Sequence, residues 1–139
     1  MLTIMNDLPN NVLGVSAEGK ISRLDYETVS IPAIKKIMKM SKRNRLLYHL
    51  GSNFDGFDPN AKMIDAKFGM NYLSAWDKIA LVSDHRMIND FARFFGYLLS
   101  CEVCIFKEAD LEEAKKWISE KKIKKVEEKK NDTDGGEFN

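Results

Sequence analysis

From Val12 onward, apolar runs of strand length alternate with segments of helical periodicity, and this alternation constrains the fold more than any single motif. "VLGVSAEG", "RLLYHLGS", "DKIALVSD" and "CEVCIFK" read as strands. Each is followed by a stretch whose apolar residues recur at three- and four-residue spacing. A β-α-β-α-β-α-β-α order predicts an α/β fold, with a mostly parallel sheet covered by helices. One more short strand, in "MLTIMND", precedes the series and is joined to it by a turn at Pro9-Asn10-Asn11. A connection that short makes the first strand antiparallel to the second.

Local signals place the helix starts. Ser22 and Asp25 have capping-box spacing, and so do Asp110 and Glu113. Asp58-Pro59 joins a cap residue to a proline in the first turn, and Asp84 is expected to cap the helix through Asn89–Ser100. Pro32 falls inside the first helical pattern, so a kink or break is expected near Ser30. Inward positions are Tyr26, Val29, Ala33, Ile34, Ile37 and Met38, then Met63, Ile64, Phe68 and Tyr72, and finally Leu111, Ala114, Trp117 and Ile118. "NFDGFDPN" reads as a loop with two outlying aromatics, Phe54 and Phe57.

With 139 residues, a single domain over 1–121 suffices, and the charged segment 122–139 reads as a disordered tail. A net charge of +1 creates no global field toward nucleic acid. No run of about 18 apolar residues occurs, as a membrane span requires. The first residues lack a basic and cleavable leader. Two cysteines form no disulfide framework, which suits a reducing compartment. A cytoplasmic location is expected, with peripheral membrane attachment as its refinement.

Three segments carry a family resemblance: "LPNNVLGVSAEGKIS", "DAKFGMNYLSAWDKIALVSD" and "VCIFKEADLEEAKKWI". Together they resemble the SpoIIAA-like family, relatives of the STAS domain, over roughly Met1 to Lys121. The resemblance implies a sheet of alternating strands and helices and, in function, an interaction module. For small SpoIIAA-like proteins it implies binding of a hydrophobic ligand or of a membrane surface. STAS-type antagonists carry a phosphorylated serine, in an Asp-Ser-(Ser/Thr)-Gly sequence, after a buried strand. The matching place here reads Leu50-Gly51-Ser52-Asn53, so Ser52 stands where that serine would be, without the Asp-Ser pair.

No strong catalytic motif appears. Cys101 and Cys104 form a C-x-x-C, but three residues apart on a strand they face opposite sides. His49 and His85 have no serine or cysteine at a recognisable catalytic spacing. The acidic loop lacks the order of a calcium loop, and no phosphate-binding glycine motif occurs. No cofactor or metal is expected.

The outlier is "NDFARFFGYLLS". On a helical wheel Met87, Phe91, Phe94 and Leu98 cluster, and Ile88, Ala92, Phe95 and Leu99 widen the apolar arc to roughly 160°. Covering a sheet needs about 100° or somewhat more, leaving one flank, around Phe95 and Leu99 or around Phe94 and Tyr97, for a further apolar contact. The expectation is a non-enzymatic binding module. Phe91, Phe94, Phe95, Leu98 and Leu99 would border a cleft for a hydrophobic ligand or a lipid surface, with Phe54 and Phe57 as its lid. A neighbouring helix or a homodimer mate could use the same flank. The alternative is a STAS-type regulatory module switched at Ser52, and a third class is an enzyme working through His49 or His85.

Overall fold

A computed structural model describes residues 1–60, 76–98 and 101–120, with only the backbone of Phe95, Tyr97 and Leu98. The helix expected over Met63–Tyr72, Leu99 and the tail from 122 lie outside the described residues.

Five strands form one sheet in sequential order: β1 Leu2–Ile4, β2 Val12–Ile21, β3 Asn44–Phe57, β4 Trp76–Val82 and β5 Glu102–Phe106. β1 pairs antiparallel with β2, and every later neighbour is parallel, as the chain order predicts. The turn between β1 and β2 closes with Val12 N–H donating to Pro9 O at 3.0 Å.

The first helical segment runs as α1 Arg23–Asp25, a π-turn Tyr26–Ser30 and α2 Ile31–Met40. Its capping box is complete: Asp25 N–H donates to Ser22 Oγ at 3.2 Å and Ser22 N–H to Asp25 Oδ2 at 2.9 Å. Pro32 does not break the segment. Ile31 N–H reaches back five residues to Tyr26 O, and this wide turn stands where Pro32 lacks a donor. Among the described residues the longer helices that follow are α3 Arg86–Leu98 and α4 Leu111–Ser119, the latter after a 3-10 turn Glu108–Asp110.

Two expected caps are different in the structure. Asp84 accepts from Glu108 N–H at 3.1 Å, tying the end of β4 to the turn after β5. Asp110 does stand at the start of α4 but makes no side-chain cap, because its φ of −102° and ψ of 26° are not the extended backbone such a cap uses.

The loop expected over "NFDGFDPN", residues 53–60, is also corrected. β3 continues to Phe57, pairing Phe54 with Gly19 and Phe57 with Ile21 across two register shifts. Gly19 at φ 64° and Gly56 at φ 96° take left-handed backbone, which lets this long arm bulge and bend.

Side chains alternate across the sheet to give two cores. Leu13, Val15, Ala17, Leu50, Phe54 and Leu81 pack with Tyr26 and Ile37 on one face, joined by Ile88 and Ala92 of α3. Val12, Leu47, Ala80 and Val82 pack with Ala114 and Ile118 of α4 on the other. Met5 and Leu8 complete this second face, and Leu8 lies so close to Gly14 that an added Cβ would approach it to 2.5 Å. Arg45 and Lys78, both buried, face the end of α4: Arg45 Nη1 donates to Ile118 O at 2.8 Å and also to Glu120 O, and Lys78 Nζ to Trp117 O at 3.3 Å. Cations there suit the negative end of a helix.

Candidate functional site

α3 packs on the sheet by its small side. Ile88 and Ala92 join the core, and Gly96 sits where a Cβ would come within 2.8 Å of Val103 Cβ. These three are spaced i, i+4, i+8, on one helical face. The larger residues therefore point outward: Met87 is 86 %, Phe91 54 % and Phe94 64 % exposed. The sequence suggested that the middle of the apolar arc covers the sheet and a flank remains. In the structure the middle of the arc is outside.

Phe54 and Phe57 do not form a lid over this face. Phe54 is buried, with its ring 5.1 Å from Phe57 and 5.2 Å from His85. Phe57 in turn lies 6.1 Å from the Tyr26 ring. Both belong to a ladder rather than a loop, so they act as core of the β2–β3 arm. Ser52 is exposed within β3, and its N–H donates to Glu108 Oε1 at 3.1 Å. It thus stands in a strand and not at a helix start.

Beside α3, at the C-terminal ends of β4 and β5, is a cleft of about 460 Å³. Charged and polar side chains, among them Asp84, Arg86, Asn89, Arg93 and Lys107, line it together with Ile105 and Phe106, so its lining is mixed. Arg93 is held by Asp90 at 3.0 Å.

A second grouping, which sequence spacing concealed, lies on the α4 side of the sheet. Ser16 on β2 and His49 on β3 are register partners, and Ser16 Oγ is 3.0 Å from His49 Nδ1. Glu108 reaches back from the turn after β5 to place Oε1 3.2 Å from His49 Nε2. The three residues are 33 and 59 positions apart along the chain. The available signal was two polar residues at inward positions of adjacent strands, but without register they could not be matched. His85 is placed differently: its ring packs edge-on against Phe54.

Cys101 and Cys104 are free thiols. Burial first, then the Asp77 and Glu102 carboxylates, push the Cys101 thiol up to about 11. Burial also raises that of Cys104. Such thiols are poor nucleophiles near neutral pH.

A sequential sheet with an antiparallel first strand, parallel thereafter and flanked by helices, is the architecture of a STAS-type module. The chain belongs to the SpoIIAA-like family, whose model matches residues 12–119. It is similar to the crystal structure of an uncharacterized protein with a SpoIIAA-like fold from Shewanella loihica PV-4. The TM-score is 0.68 and the identity 18 %, covering 85 % of this chain and 92 % of that one, so the likeness concerns the fold. No curated protein matches the chain.

Proposed function

We propose that this STAS-type module docks reversibly on a membrane surface through the outer face of α3. The observation that carries the reading is the exposure of Met87, Phe91 and Phe94, at i, i+4 and i+7, on one convex side of the helix. A convex apolar face suits a bilayer interface, whereas the cleft beside it brings five charged side chains, Asp84, Arg86, Asp90, Arg93 and Lys107, to its lining. Arg86 and Arg93 lie along one edge of the face, Arg93 paired with Asp90 at 3.0 Å, which leaves Arg86 as the cation offered to headgroups there. Among the described residues no helix is long and apolar enough to cross a membrane, so the contact proposed is interfacial.

At their exposures each phenylalanine presents on the order of 100 Å² or slightly more, about 2–3 kcal/mol if fully buried. That is enough for reversible attachment and not for insertion. Flotation with phosphatidylcholine–phosphatidylserine vesicles tests it. Wild type should float with the vesicles, and Phe94→Asp should weaken partitioning at least about 30-fold, the equivalent of those 2–3 kcal/mol. Failure of the wild type to float, or equal flotation of the variant, refutes the reading. A homodimer on the same face would instead appear as concentration-dependent association in sedimentation, without vesicle binding.

A further inference from the structure

The hydrogen bonds around His49 have a definite direction. Glu108 Oε1 already accepts the N–H of Ser52 at 3.1 Å, and an ionised carboxylate has no proton to give. His49 Nε2 therefore carries the proton and donates to Glu108 across 3.2 Å. In the neutral ring this leaves a lone pair on Nδ1, so Ser16 Oγ, 3.0 Å away, is the donor of that bond. A serine hydroxyl donating to an imidazole whose other nitrogen is held by a carboxylate is the arrangement that activates a nucleophile.

The surroundings allow access. Ser16 is half-buried, and the side chains of His49 and Glu108 are 14 % and 28 % exposed. Gly51 places no side chain beside the group: a Cβ there would lie 3.7 Å from Glu108 Oε1 and 3.7 Å from Glu18 Cγ. Charges of both signs stand at this end of the sheet: Glu18, Glu108 and Asp84 are joined by Lys107 beside Glu108 and by the Met1 ammonium, which donates to Glu18 O at 2.6 Å, a balance that suits an uncharged substrate. Asp84 also holds the turn bearing Glu108, through Glu108 N–H at 3.1 Å.

We propose that Ser16 is a base-activated nucleophile toward uncharged carboxylic esters, with His49 as its base and Glu108 as the positioning residue. Ser16 Oγ bonds to the carbonyl carbon as its proton passes to His49 Nδ1, and the carbonyl π pair moves to oxygen. The pair returns, the bond to the alkoxide breaks, and the leaving oxygen takes the proton from Nδ1. Water then adds to the acyl-serine by the same proton route, releasing the acid and restoring Ser16. The Glu108 carboxylate stabilises the imidazolium formed at each addition. This goes beyond membrane docking and uses none of its residues.

The test is labelling of the folded protein by an alkyl fluorophosphonate, followed by intact mass and peptide mapping, with hydrolysis of p-nitrophenyl acetate in parallel. One adduct is expected, on Ser16, and none in Ser16→Ala. His49→Ala should label about 100-fold or more slowly, and added imidazole should restore part of the rate. Glu108→Gln should lower the maximal labelling rate without changing the probe concentration that half-saturates it. His49→Gln serves if His49→Ala does not fold, with melting curves recorded for each. No Ser16 adduct in the wild type, or equally fast labelling in a folded His49 variant, overturns the proposal.

Discussion

Gly96 decides which side of α3 meets the sheet, and Gly96→Ala puts that contact to the test. In an exposed helix interior the change would stabilise by about 1 kcal/mol, through helix propensity alone. Here the new Cβ would fall 2.8 Å from Val103 Cβ and 2.9 Å from Val103 Cγ2. Carbon atoms rest at about 3.5–4.0 Å, so the helix must retreat by the better part of an ångström. Val103 cannot turn aside, because the nearer atom is its own Cβ, fixed to the β5 backbone. Overpacking of this kind costs about 1–3 kcal/mol, which exceeds or offsets the propensity gain. The net expectation is a destabilisation of about 1 kcal/mol, read as a lower urea midpoint at unchanged m-value. Val103→Ala removes the 2.9 Å contact and keeps the 2.8 Å one, so Gly96→Ala should still destabilise in that background. In Val103→Gly both contacts vanish, and Gly96→Ala should stabilise. A raised midpoint for Gly96→Ala in the wild-type background would refute the close approach, and with it the outward turn of Met87, Phe91 and Phe94.

Two further outcomes follow from polar groups. Arg45→Met removes the donor to Ile118 O and Glu120 O and leaves carbonyls at the end of α4 without it; a loss of about 2–4 kcal/mol is expected in urea unfolding, and a loss under 1 kcal/mol would contradict the assigned role. Asp25 has its carboxyl held below the usual range, chiefly by the Ser22 N–H. A depressed folded-state pKa gives stability that is present above about pH 4 and lost as pH falls through the lower folded value. The stability gap between wild type and Asp25→Asn should therefore narrow on acidification below pH 4, and a gap that widens there would contradict the capping role.

The positions of β2, β4 and β5, and the first capping box, were legible in the sequence because each rests on local pattern: apolar runs, a Ser-x-x-Asp spacing, a turn too short for a crossover. The family resemblance was legible for the same reason. "NFDGFDPN" misled because its composition is that of a loop, whereas pairing with Gly19–Ile21 supplies partners for its backbone and Phe54 fills the core. Asp84 and Asp110 misled because a cap requires a particular backbone conformation or a free carboxylate, and neither is a property of spacing.

By itself, the sequence determined the fold class, the antiparallel first strand and the presence of one helix with more apolar surface than a sheet requires. Periodicity and connection length act within a few residues, and they suffice for that. Tertiary structure alone decided the rotation of α3, since the approach of Gly96 to Val103 joins two elements whose separation no local pattern encodes. It alone brought Ser16, His49 and Glu108 together, because strand register and the return of the turn after β5 are set by packing across the whole sheet.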